Sequence, residues 1–169
     1  MHNIPRFAVT LLVALVCAAS AGGATANAHG QQGFRWLTGT WRVQVATYNC
    51  QTGVTNPPFA SVLTFDAFGN LTGTTANAIF LPGQRSPDHG VWKRVGWNYF
   101  SAASEAYIEF STPVTSPPPR LTRGVQRIEQ GIEMTGPDSF SSEATLTFFD
   151  EAGAVVLTGC AKATAQRFR

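Results

Sequence analysis

Between Thr40 and Phe168 no stretch of ten or more residues carries the apolar spacing of an amphipathic helix, and that absence constrains the chain more than any motif in it. Parallel strands need crossover connections of a dozen or more residues, usually helical. A sheet built from this chain must therefore be antiparallel and mostly sequential. Sixteen Gly, ten Pro and twelve Phe fit the same picture of short strands between tight turns, and the fold class is all-β.

The period-two alternation predicts eight strands. Thr40 to Asn49 sets Trp41, Val43, Val45 and Thr47 on one face and Arg42, Gln44, Ala46 and Tyr48 on the other. Ser61 to Asp66 and Leu71 to Ala76 form a hairpin about Phe68-Gly69-Asn70. A connection from Asn77 to His89, with Pro82-Gly83 and Pro87, leads into Gly90 to Val95, and Gly96-Trp97-Asn98 turns the chain back. Tyr99 to Phe110 then aligns Phe100, Ala102, Ala106, Ile108 and Phe110. Gly124 to Met134 aligns Ile128, Ile132 and Met134, and the strand after it aligns Phe140, Ala144, Leu146 and Phe148. Ala154 to Phe168 is the last. Pro113 and Pro117-Pro118-Pro119 favour extended polyproline geometry and belong to a surface loop.

Residues 1–28 read as a secretory signal. Arg6 supplies the positive n-region, Phe7 to Ala19 the apolar core, and Ala24-Thr25-Ala26 or Ala26-Asn27-Ala28 the small-x-small cleavage site. The apolar run is shorter than the ~20 residues a membrane span needs, so no membrane span is expected. The remainder, residues 29–169, is expected to be a single domain, secreted or periplasmic. Cys17 goes with the signal. Cys50 and Cys160 are then an even pair in an oxidising compartment, and one disulfide is the economical reading.

Eight sequential antiparallel strands close into an up-and-down barrel or split into a two-sheet sandwich. The cysteines favour the barrel. Cys50 ends the first strand and Cys160 lies in the eighth, so a bridge would staple the two strands that must meet at a seam.

Gly39-Thr40-Trp41 opens the first strand after a short aromatic turn, and Arg167 closes the last. With the eight-strand pattern, this resembles the lipocalin and wider calycin superfamily. The resemblance implies that Trp41 plugs the closed end of the barrel and that Arg167 lies across its indole, both as structural residues. The chain departs from lipocalins in lacking a helix after the eighth strand and their second Thr-Asp-x-x-Tyr motif. Leu37 to Trp41 and Gly69 to Thr74 also look like the opening strands of avidins. Avidins carry Asn and Ser for biotin where this chain has Val43 and Thr47, so biotin binding does not carry over. A further resemblance is to uncharacterised exported bacterial proteins with an Arg-Ser-Pro-x-His-Gly-x-Trp segment.

That segment, Arg85 to Trp92, is the densest polar and aromatic cluster in the chain. At the rim of a barrel Arg85, Asp88 and His89 could grip the polar head of a ligand while Trp92 covers its apolar part. The alternative is a structural loop, with Asp88 capping a turn and Pro87 fixing its entry. No catalytic triad forms around His89, since Ser86 sits three positions away on the same segment and no mature serine lies in a glycine elbow. Glu105, Glu109, Glu129 and Glu133 fall on outward faces. No metal-ligand set, phosphate cradle or cofactor motif is present, and none is expected. The formal charge of +2 is too small for a nucleic-acid footprint.

Ala102, Ala106 and Ala144 occur beside larger inward residues and leave room, in an interior that side chains can just fill or that one small apolar or amphipathic molecule can occupy. The leading expectation is thus an exported small-molecule-binding barrel. An isomerase or cyclase using Arg85, Asp88 and His89 is the enzymatic alternative, and a structural or partner-binding barrel is a third.

Overall fold

The computed structural model describes residues 37–114 and 121–169. The expected signal segment, the rest of the sequence before Leu37 and the proline-rich stretch 115–120 lie outside the described residues. Eight strands follow one another: β1 (Gly39–Tyr48), β2 (Phe59–Phe65), β3 (Asn70–Thr75), β4 (Asp88–Arg94), β5 (Tyr99–Val114), β6 (Leu121–Gly136), β7 (Ser139–Asp150) and β8 (Val155–Arg167). Each pairs antiparallel with its neighbour, and β1 pairs with β8, so the sheet closes into a barrel with strand order equal to chain order. Closure leaves no sheet edge exposed.

The seam runs in register from Trp41↔Arg167 to Tyr48↔Cys160. The Cys50–Cys160 disulfide stands at its far end, with the two Cα atoms 5.3 Å apart. The bridge therefore holds the first and last strands together where the seam stops.

Three strand boundaries differ from the sequence expectation in a consequential way. β5 and β6 run to Val114 and from Leu121, beyond the expected Phe110 and Gly124. The register shifts between Glu109 and Val114, around Pro113, which has no backbone N–H to give the ladder. β4 begins at Asp88 instead of Gly90, because Asp88 and His89 already pair with Gly73 and Thr72 on β3. What reads as a rim loop is a strand, and its alternation sends Asp88 and His89 to opposite faces.

One end of the barrel is filled. Leu37, Trp41, Phe65, Leu71, Phe100, Ile132 and Phe140 are fully buried there. Their rings meet edge to face, with centroids 4.9 Å apart for Trp41–Phe140 and 5.8 Å for Trp92–Phe100. Such pairs contribute ~0.5–1.5 kcal/mol each beyond their area burial. The Trp41 indole N–H donates to the Leu37 carbonyl at 2.8 Å. Arg167 crosses the Trp41 ring with its guanidinium carbon 4.2 Å from the ring centroid, and donates to the Asp138 carboxylate and the Thr38 carbonyl. The guanidinium thus ties three backbone segments over the plug.

Candidate functional site: the cavity at the open end

Away from that plug the inward residues become small or short, and the interior is not filled. Ser61, Ser104, Ala106, Ser142, Ala161 and Ala163 point inward along β2, β5, β7 and β8. The result is a cavity of about 360 Å³, reached from the end that carries the disulfide. Ligand sites commonly occupy about 300–1,000 Å³ with a few convergent polar groups on an apolar lining. Here Val43, Val45, Leu63, Ile128, Leu146 and Phe148 supply much of the apolar lining.

The polar groups converge on Arg85. Its Nη2 donates to Asp88 Oδ1 at 2.5 Å and its Nε to Gln126 Oε1 at 2.6 Å. The side chains of Arg85 and Asp88 are each only 5% exposed. Burial pushes the Asp88 carboxyl above its ordinary value of 3.8, against the pull of the Arg85 guanidinium and the smaller one of His89. Arg85 reaches this position because its backbone bridges Ile108, while Ser86 N–H donates to the Tyr107 carbonyl. The β3–β4 connection is thereby laid along β5. Phe80, from the same connection, lies 5.7 Å from the Arg85 guanidinium and stacks on Phe110, centroids 5.8 Å apart, beside the mouth.

Gly73 makes room for Asp88. A Cβ at Gly73 would stand 2.5 Å from Leu63 Cδ2 and 3.3 Å from Asp88 Oδ2. Next inward on β3 comes Thr75. Among the described residues its Oγ1 is the buried side-chain polar atom that has no hydrogen-bond partner. Its neighbour across the ladder, Ser61, is satisfied by donating to the Thr74 carbonyl at 2.7 Å.

The structure brings together only two of the residues singled out in the Arg85–Trp92 segment. Arg85 and Asp88 line the cavity. His89 is exposed on the outer face of β4, between Thr72 and Glu105 in the ladder. Trp92 is 4% exposed within the closed-end core, where its indole N–H donates to the Asp66 carbonyl at 3.1 Å. An Arg/Asp/His constellation is therefore not assembled at one point. Glu105 and Glu109 project outward and receive Arg127 and Arg123 from β6.

Gln126, Ser104 and Thr75 are cavity residues that the reading of the sequence did not select. For two of them the signal was available. Gln126 lies two residues before Ile128 and Ser104 between Ala102 and Ala106, so both fall on inward parity.

The fold and the cavity define a closed eight-stranded antiparallel barrel with one disulfide and an internal cavity. A scan of protein-family models finds no match to the chain, and a search of curated proteins finds none either. Among solved structures, an S-type phycobiliprotein lyase, CPES, from Guillardia theta is similar over 83% of this chain and 93% of its own, at 9% identity and a TM-score of 0.44. A protein of unknown function from the DUF3598 family of Nostoc punctiforme is similar over 80% of this chain and 49% of its own, at 12% identity and a TM-score of 0.38. Likenesses this remote carry no site residue from one chain to the other.

Proposed function

We propose that this chain is an exported small-molecule-binding barrel that takes an apolar or amphipathic ligand into the open-end cavity, with Arg85 and Asp88 meeting its polar part. The observation that carries this reading is a cavity of about 360 Å³ with an apolar lining and a buried Arg85–Asp88–Gln126 cluster. Burying an ion pair is costly, and no packing need of the closed-end core is served by it. A polar ligand group supplies a reason for it. Export, with residues 1–28 removed and residues 29–169 forming the domain, is supported by the Cys50–Cys160 bridge, since such bonds persist in oxidising compartments. Among the described residues no helix is long and apolar enough to cross a membrane.

The test is a titration of the purified protein with the uncharged lipophilic fluorophore N-phenyl-1-naphthylamine. Saturable one-to-one binding is expected, and Ala144→Phe, which fills the cavity from β7, should abolish it. A signal that survives Ala144→Phe in folded protein, or the lack of any saturable signal in the parent, would overturn the reading.

A further inference from the structure

The cavity has two unlike walls. The polar side chains Ser61, Thr75, Asp88, Ser104 and Gln126 come from the consecutive strands β2 to β6. Across from them Val43 and Val45 of β1, Leu146 of β7 and Ala161 and Ala163 of β8 are apolar, with Ser142 of β7 the buried polar exception, and Leu63 of β2 and Ile128 of β6 are apolar among the polar groups. A ligand fitting this lining is mostly apolar, with its polar group turned towards β2 to β6.

The charges on the polar wall cancel. Arg85 and Asp88 are paired at 2.5 Å, and two of the guanidinium nitrogens are committed to Asp88 and Gln126. Lys162 also borders the cavity, but its ammonium lies 3.4 Å from the Glu143 carboxylate and its side chain is 63% exposed. An anion approaching Arg85 meets the Asp88 carboxylate at the same place, and a cation approaching Asp88 meets Arg85. Either ion would leave water without gaining an uncompensated partner.

Two groups, on β3 and β4, stand beside the pair where they can read a ligand without disturbing it. Asp88 Oδ1 holds Arg85, whereas Oδ2 is turned to the space beside Gly73. Thr75 Oγ1, two residues beyond Gly73 along β3, has no hydrogen-bond partner among the described residues and can donate or accept. A hydroxyl or amide N–H suits Oδ2, and a second oxygen or nitrogen suits Thr75.

Building on the binding reading above, we propose that the cavity selects uncharged lipophiles bearing a hydroxyl or amide N–H and rejects carboxylates and amines of the same apolar size. The buried Arg85–Asp88 pair acts as a charge filter, and Thr75 and Asp88 Oδ2 are the specificity-determining contacts.

The experiment displaces bound N-phenyl-1-naphthylamine with three probes that share one chain, 1-decanol, decanoate and decylammonium, at neutral pH. Decanol is expected to displace at least about tenfold more tightly than either ion. Thr75→Val should weaken decanol alone, and Asp88→Asn, which leaves Arg85 without its counter-charge, should invert the order in favour of decanoate. Equal or tighter displacement by decanoate or decylammonium in the parent protein overturns the charge filter, as does an unaltered order in folded Asp88→Asn. The parent comparison decides the matter if that variant does not fold. Fluorophore binding with no displacement by decanol also overturns this proposal while sparing the binding reading. Failure of the fluorophore itself to bind removes both, so the two failures are distinct.

Discussion

Arg167 Nη1 occupies the space that a side chain at Gly39 would need: a Cβ built there stands 2.7 Å from it. Gly39 also holds a φ of +130°, which L residues rarely adopt. Gly39→Ala should therefore cost about 1–3 kcal/mol from backbone strain, with a further loss as the guanidinium is pushed off Trp41. Chemical denaturation of Gly39→Ala, Arg167→Ala and the double variant checks this. The double variant should be less destabilised than the sum of the two single ones, because the clash requires both side chains.

The Cys50–Cys160 bridge spans 110 positions and closes the barrel where the β1–β8 seam ends. Loss of a bridge of this span should cost about 2–5 kcal/mol. The double Cys→Ala variant, unfolded in urea beside the oxidised parent, measures it. Because Tyr48 and Cys160 both line the cavity, N-phenyl-1-naphthylamine affinity should fall as well, in protein that is still folded.

The eight strands and the seam were legible because alternation survives in nearly every strand and the cysteines mark the strands that meet, Cys160 within β8 and Cys50 two residues past the end of β1. Trp41, Val43, Phe100, Ile132 and Phe140 face inward as their parity requires. The Arg85–Trp92 segment was only half legible. A proline at 87 followed by Asp, His and Gly has the composition of a turn. Pairing of Asp88 with Gly73 overrides that composition and converts it to strand. Once it is strand, Asp88 and His89 must part. Trp92 shares Asp88's parity but lies four residues nearer the plug, a position along the barrel axis that periodicity does not encode.

Thr75 and Ser61 are ladder partners with hydroxyls on the same wall, and their substitutions should diverge. Thr75→Val replaces a buried oxygen that has no partner by a methyl of similar shape, and should leave stability unchanged or raise it by up to about 1 kcal/mol. Ser61→Ala removes a donor to the Thr74 carbonyl and should cost about 1 kcal/mol. Thermal or urea unfolding of the ligand-free variants measures both. A clear loss in Thr75→Val would mean that its hydroxyl is satisfied in solution.

Asp88 gives the protein an unusual dependence on pH. Burial raises its folded-state value above the ordinary 3.8, although Arg85 and His89 both oppose the shift. The native state then binds a proton more tightly at this group than the unfolded chain does, so the contribution of Asp88 to stability is fully present below about 3.8 and is lost as pH rises through the folded-state value. Most acidic groups act in the reverse sense, and the whole protein's acid limb will hide the effect. Subtracting Asp88→Asn from the parent isolates it. Measured by urea unfolding at a series of pH values, the stability of the parent relative to Asp88→Asn should increase as pH is lowered from neutrality towards 3.8. A difference that moves the other way would mean that the ion pair with Arg85 outweighs the cost of burial, and that Asp88 is held ionised more firmly in the barrel than in water.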